Sequence, residues 1–455
     1  MPSPRLRLWT DRTVRLIVSA GAILVTGVVS VVRNKWLAVH IAASGIGTIA
    51  QVVSAQAWLG TAAALGLGFP LGRAVGEAMG RGDARAAARS FWTAVSLTIL
   101  STLVAVAAGL LFAPALSRAV LGSPEYAPLV RISMIGLAGF ALSATWNGLF
   151  AGRSDLDGPL IYAIVGGAAS VAAVLFLVPR WGLTGAVLAI SVMYPVGLVG
   201  ALAIRYRAYA PAFTRPTSPP FDLGEARALL TIAGAALVLS LLDLGTLLAI
   251  RSSYLRANGV AANGLLQAAL ALSQQVGSVF YAYLARYAFG KVSAAAAVGG
   301  EGVAAYTRRQ WTPLLIVATL AIGFSMAAAT PLLHLLYSSR FDPARPMMAY
   351  ALFGEFCRVA VQAWALGALP LSGTGLWFTI GIAQPLSLAA LYALFAARGA
   401  GEMSLAYAYA SAGLVTLLVA IVGMRSRGVS MGRREGLTLV LALAILAVLL
   451  RVFGS

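Results

Sequence analysis

"VVRNKWLAVHIAASGIGTIAQ", Val31 to Gln51, is the stretch whose reading decides how this chain folds. An apolar run of membrane-spanning length ends in two cations, Arg33 and Lys35. A short Gly/Ser segment follows, and then a second apolar run begins. Charges inside a bilayer are costly, so a span that ends on them marks a boundary. The stretch reads as a helical hairpin with the Gly/Ser segment as its turn.

The rest of the chain repeats this texture. Of its 455 residues 60% are hydrophobic and only 10% are charged, where a soluble domain carries about 25% charged residues. Mean hydropathy is +0.88. Apolar runs of span length recur from end to end, which makes the chain a polytopic helical membrane protein. Its 48 glycines allow helices to approach closely. The single Cys357 excludes an internal disulfide and reads as a small packing residue within a span. Basic residues precede the first apolar run, as in a signal peptide. That run is too long and shows no small-residue cleavage pattern, so it reads as the first span.

Apolar runs set against their breakers fall near 14–38, 46–71, 90–114, 127–151, 158–178 and 183–204. The polar stretch "RYRAYAPAFTRPTSPPFDLGEAR" then interrupts the pattern with four prolines and reads as a connector. A second set lies near 228–250, 262–284, 312–337, 347–370, 376–397 and 404–424, and a run at 437–453 makes thirteen. The expected organisation is an N-terminal lobe at 1–206, a cytoplasmic linker at 207–227 and a C-terminal lobe at 228–424. A basic loop with a last span follows at 425–455.

The net charge of +19 is dispersed among short loops, with no basic domain to suit a nucleic acid. It fits a positive-inside bias instead. With the N-terminus in the cytoplasm, the cytoplasmic ends hold 21 of the 33 Lys and Arg residues and the outer ends 11, Arg358 lying within a span.

Sliding the second half over the first gives one register. Arg33 falls on Arg251, Gly47 on Gly264, Gly60 on Gly277, and Gly158 and Gly182 on Gly375 and Gly399. Arg89, Trp92 and Thr93 fall on Arg308, Trp311 and Thr312. Each unit has six spans, so both enter the membrane from the same side. The expected fold class is therefore all-α, with two pseudo-symmetric six-helix lobes around a central cleft plus a thirteenth helix.

Here the residues resemble a family. "NKWLAVHIAASGIGTIAQ" (Asn34 to Gln51) is similar to the first hairpin of bacterial polysaccharide flippases. "LGLGFPLGRAVGEAMGRGD" (Leu65 to Asp83) resembles the Gly-rich end of their second span, and Asp243 to Gly277 their seventh-to-eighth hairpin. Asn147 to Ala189 resembles their fourth-to-sixth region. The family belongs to the superfamily of multidrug, oligosaccharidyl-lipid and polysaccharide exporters. The resemblance implies a flippase moving an undecaprenyl-pyrophosphate-linked oligosaccharide from the cytoplasmic to the outer leaflet of the bacterial inner membrane. It implies a cleft lined mainly by spans one, two, seven and eight, and other polysaccharide-assembly proteins as partners. The thirteenth span departs from the family's usual twelve.

An anionic pyrophosphate suits Arg, whose planar fork donates paired hydrogen bonds. Arg33 and Arg251, matched by the repeat, are the expected phosphate contacts, with Lys35 and Arg256 beside them. The competing reading is snorkelling of span-end cations to the headgroups. Lys35 is two residues from Arg33 and points to roughly the opposite helix face. Gln51 and Gln267 are sugar-contact candidates, set against a role as packing glue between helices.

Asp243 lies within span seven, where a carboxylate binds a coupling H⁺ or Na⁺ or pairs with a basic residue such as Arg33 or Arg358. Glu355 and Arg358, three residues apart, can neutralise each other or act as a gate. His40 and His334 are the only histidines, so neither a metal site nor any other cofactor is expected. Rival functions are a peptidoglycan-precursor (lipid II) flippase, a multidrug exporter of the same superfamily, and a polysaccharide polymerase or ligase. The short external loops leave little room for the last, so no enzyme is expected.

Overall fold

The computed structural model describes residues 4–155, 157–213, 221–296, 299–372 and 374–454. All regular structure among them is helical. In chain order the α-helices are α1 (Pro4–Ala63), α2 (Gly68–Gly80), α3 (Ala84–Leu111), α4 (Ala113–Leu121), α5 (Ala127–Gly152), α6 (Asp157–Phe213) and α7 (Leu223–Tyr283). Then come α8 (Phe289–Ala296), α9 (Gly300–Ala327), α10 (Ala329–Leu336), α11 (Ala344–Trp364), α12 (Ala368–Ser372), α13 (Thr374–Ala397), α14 (Ser404–Arg425) and α15 (Arg433–Phe453).

Three helices are too long for one crossing: α1 has 60 residues, α6 has 57 and α7 has 61. Sixty residues at 1.5 Å each would run about 90 Å, three times a bilayer core of about 30 Å. Each contains a residue of non-helical backbone: Ala42 in α1, Gly182 in α6 and Gly259 in α7. Each is therefore a hairpin of two arms. Among the described residues ten helices are long and apolar enough to cross a membrane, and three of them are these hairpins. Counted by arms, they match the expected runs from the second onward, and of the first, at 14–38, the candidate span Val29–Ala63 covers the end.

The hairpin at Val31–Gln51 turns where it was expected to, but on a different residue. The break is Ala42 (φ 54°, ψ −172°), and helix resumes before Gly45 and Gly47, which are buried inside it. Gly47 serves the close packing described below. The backbone region Ala42 occupies is otherwise almost reserved for glycine. Gly259 (φ 88°, ψ 168°) holds the same place in α7, 217 residues later.

The repeat is visible in the element order. Gly182 and Gly399, again 217 residues apart, both have positive φ. α3 and α9 are each 28 residues long. Each leads into a short helix (α4 or α10), a 3-10 turn (Pro124–Tyr126 or Ser339–Phe341) and then α5 or α11. The connector is shorter than its sequence suggested: helix runs on to Phe213 and resumes at Leu223, and 214–220 lie outside the described residues.

The chain forms two compact units, Met1–Ile41 with Ile49–Leu244, and Ala42–Thr48 with Gly245–Ser455. In the first unit α2 and α5 cross on a ladder of glycines. A Cβ on Gly68 would stand 2.9 Å from the Ala144 carbonyl oxygen, and one on Gly72 3.1 Å from that of Gly148. Such small-residue faces let helix backbones touch where lipid supplies no hydrophobic drive. Leu67, Leu71, Phe91, Leu149 and Phe150 form the core beside this crossing, together with Leu229 and Ala233 of α7. The start of α7 is held there by Ser90 Oγ donating to Glu225 (2.6 Å) and Trp58 Nε1 donating to the Leu241 carbonyl (3.0 Å). On α2, the exposed guanidinium of Arg73 donates to Glu77 at 2.7 Å and holds its carboxyl below the usual range.

In the second unit α11 packs on α14 and α9, and α13 on α14. Cys357 is fully buried on α11, where its Cβ leaves no room for a side chain at Gly413. The thirteenth span is α15, which packs on α9 and α11. Its inward face is Leu439, Ala442 and Leu446, at helical spacing, and the Glu435 carbonyl accepts from Trp311 Nε1 at 3.3 Å. Leu437, Val440, Leu441 and Val448 face outward, as a lipid-facing side requires.

Candidate functional site

The Arg251 end of α7 carries the most heavily buried basic residue among the candidates. Arg251 is 3% exposed and Asn263 is fully buried, and the two flank the bend at Gly259. Arg251 donates from Nε (3.3 Å) and Nη2 (3.2 Å) to the side-chain oxygen of Asn263. The same amide donates from Nδ2 to the Gly47 carbonyl at 2.9 Å. A buried guanidinium is tolerated only where its donors find acceptors, and the amide oxygen supplies part of that need. One turn further on, the Tyr254 hydroxyl donates to the Glu402 carbonyl (2.8 Å), a bond within the second unit that ties this arm to the turn before α14.

Around this network the backbones nearly touch, in a reciprocal pattern. A Cβ on Gly47 would fall on the Val260 carbonyl oxygen, and one on Gly264 on the Ala43 carbonyl oxygen. Gly47 and Gly264 are repeat partners, and so are Ala43 and Val260. The contact has the self-complementary form of a two-fold interface, in which residue i meets j′ and j meets i′. All four residues belong to the second unit.

Arg33, the repeat partner of Arg251, lies in the first unit and is half-buried, with Nη1 3.8 Å from the Met193 sulfur. Lys35 is half-buried and Arg256 exposed. On the same arm as Lys35, Trp36 and His40 stack at 4.1 Å. Gln51 is fully buried and donates to the Val120 carbonyl at 3.1 Å, so its amide is engaged within the first unit. Gln267 is half-buried.

The second polar cluster is built on α11. Glu355 is 1% exposed and accepts from Tyr281 at 2.6 Å and from Tyr409 at 2.8 Å. The Tyr409 hydroxyl accepts in turn from Arg358 Nη1 at 2.7 Å. Glu355 and Arg358 are thus joined through a phenol supplied by α14. Gly277 makes room for the acid, since a Cβ there would fall on its carboxylate. In the first unit its repeat partner Gly60 instead faces the ring of Phe140, 2.7 Å from where a Cβ would stand. One position is apolar in one repeat and ionic in the other. Asp243 is half-buried and makes no ion pair among the described residues of its own unit. No group of three or more His, Cys, Asp or Glu residues suited to a metal occurs among the described residues.

Three of these residues escaped the sequence reading. Asn263 aligns with Ile46, and an amide standing where the other repeat has an aliphatic side chain is the signal that marks it. Tyr281 and Tyr409 carry no such signal, because tyrosines are ordinary in apolar helices.

Comparison with known proteins places the chain. Residues 15–242, half of its length, match the model of the family described as "Polysaccharide biosynthesis protein". No curated protein matches it by sequence. Among solved structures it is similar to an inward-facing multidrug resistance MATE family transporter of the MOP superfamily, with TM-score 0.70 and 14% identity over 91% of this chain and 95% of the other. It is also similar to the lipid II flippase MurJ in an inward closed conformation (TM-score 0.64, 12% identity, 97% and 98% covered). A MOP superfamily transporter from Pyrococcus furiosus gives TM-score 0.61 at 14% identity over 92% and 96%. The chain belongs to the polysaccharide biosynthesis protein family and has the fold of the MOP superfamily transporters.

Proposed function

We propose that this member of the polysaccharide biosynthesis protein family is a flippase for a lipid-linked oligosaccharide. Its cargo is an undecaprenyl-pyrophosphate-linked glycan, carried from the cytoplasmic to the outer leaflet of the bacterial plasma membrane. The lobes at 1–206 and 228–424 alternate access around a cleft, with the N-terminus in the cytoplasm. The chemistry is transport, with no bond made or broken in the cargo.

The observation that carries this reading is the repeat-equivalent pair Arg33 and Arg251, each near the end of the first arm of a hairpin. An arginine in each repeat gives an anionic head two guanidinium forks, each able to donate paired bonds to phosphate. Lys35 and Arg256 add positive charge to the two arms, and Gln51 and Gln267 are the candidate sugar contacts, Gln51 only on leaving the Val120 carbonyl. Asp243 and the Glu355–Tyr409–Arg358 cluster are the candidates for ion coupling or gating, since carboxylates within spans mark ion pathways.

A lipid II flippase is the second reading, favoured by the likeness in fold to MurJ over nearly the whole chain. Its cargo is also a lipid-linked glycan, so the arginines do not discriminate. Deletion of the gene followed by analysis of lipid-linked glycans does. A repeat unit accumulating on the cytoplasmic face supports the oligosaccharide flippase, and accumulating peptidoglycan precursor the second reading. Unchanged glycan pools with increased drug sensitivity would point to a multidrug exporter and overturn both.

A further inference from the structure

Asn263 holds two things at once: the guanidinium of Arg251 through its oxygen, and the Gly47 carbonyl through its nitrogen. Gly47 sits in the reciprocal backbone contact of 43–47 with 260–264. We propose that Asn263 is a positioning residue, a latch that withholds Arg251 from pyrophosphate while that contact is closed and releases it when the contact opens. The proposal rests on the phosphate-binding reading of Arg251.

First, the contact is short-range, because it rests on four small or backbone groups at van der Waals distance. It is either seated or apart, which is what a two-state element needs. Second, the amide oxygen and a phosphate oxygen compete for the same Arg251 donors, and the charged acceptor makes the stronger bonds. Third, the Nδ2 bond to Gly47 fixes the amide in the orientation that presents its oxygen to Arg251. Parting of the contact removes that anchor, leaves the amide free to rotate, and so weakens its hold. By linkage, an anion that captures Arg251 must favour the open contact to the same extent. The first repeat has Ile46 where the second has Asn263, so it supplies no equivalent amide at that position.

The test uses the full-length protein in nanodiscs, with Cys357 replaced by Ala and spin labels on Ser44→Cys and Ala261→Cys. These two positions are exposed repeat partners flanking the contact. Electron–electron distance measurements read the contact, and farnesyl pyrophosphate serves as the binding probe. Saturating probe is expected to enlarge a longer-distance population. Asn263→Ala is expected to enlarge it without probe and to tighten probe binding about five- to tenfold, the worth of hydrogen bonds that no longer compete. Asn263→Asp keeps an acceptor for Arg251 but sets a carboxylate against the Gly47 carbonyl. It is expected to open the contact while weakening probe binding, a split that a merely structural residue would not give. Distances unchanged in both variants overturn the latch. Distances that shift without any change in probe affinity overturn its coupling to the anion. Probe affinity unaffected by Arg251→Ala overturns the phosphate-binding reading instead.

Discussion

The carboxylate of Glu355 reaches Arg358, one turn along the same helix, through the hydroxyl of Tyr409 (2.8 Å and 2.7 Å). The bridge comes from α14, so a pair that looks local in sequence depends on a helix some fifty residues away. Removing only that oxygen is the cleanest probe of the cluster. Tyr409→Phe removes the bond to the buried Glu355 carboxylate, at about 1–3 kcal/mol for a buried acceptor that loses its donor. The expected result is a clear fall in the unfolding temperature of the detergent-solubilised protein. If the cluster gates transport, glycan export falls with it.

Ala42→Gly should stabilise the protein. Ala42 sits at φ 54°, ψ −172°, a conformation that costs a residue with a Cβ about 1–3 kcal/mol and glycine little. Part of the gain is offset by the greater freedom of glycine in the unfolded chain. A rise in unfolding temperature is expected, and a fall would show that the hairpin bend carries no strain.

Gly148→Val should do the opposite. A Cβ at 148 falls on the backbone of Gly68, which has no flexible end to move aside. Overpacking of this kind costs about 1–3 kcal/mol or more, and here it would force α2 away from α5. Reduced yield of folded protein in membranes, read by fluorescence size-exclusion chromatography, is the expected outcome. Gly80→Val, with open space around its Cβ, is the control.

Arg33→Ala with Arg251→Ala should abolish glycan export at normal protein levels. Arg251→Lys should retain only part of it, because an ammonium lacks the planar fork that bonds phosphate in pairs. A loss of tenfold or more in export rate corresponds to the roughly 1.5–3 kcal/mol carried by charge-assisted bonds. Export by the double variant at the unaltered rate would remove both arginines from the site.

Much of this protein was legible in its sequence, for a physical reason. In a bilayer each span must satisfy its own backbone and show lipid an apolar face, so span positions are written locally in composition. The apolar runs, the existence of a hairpin within Val31–Gln51 and the duplication all follow from strings of neighbouring residues. Even the break at Gly182 and its partner Gly399 is visible as a matched pair of glycines. The family resemblance rests on that same order and spacing.

What Gly47 does was not legible. A turn and a packing face both ask for glycine, and only the packed helices separate them: the bend fell to Ala42 and Gly47 to the close contact with 260–264. The polar networks were hidden for a related reason. Whether Glu355 meets Arg358 directly or through Tyr409, and whether Arg251 faces solvent or Asn263, depends on which helix lies opposite. Local composition and spacing were enough for the spans, the repeat and the candidate anion contacts. Tertiary structure alone decided which of those charges are already held, because a hydrogen bond needs its partner within about 3 Å and distant segments meet at that range only when the helices pack.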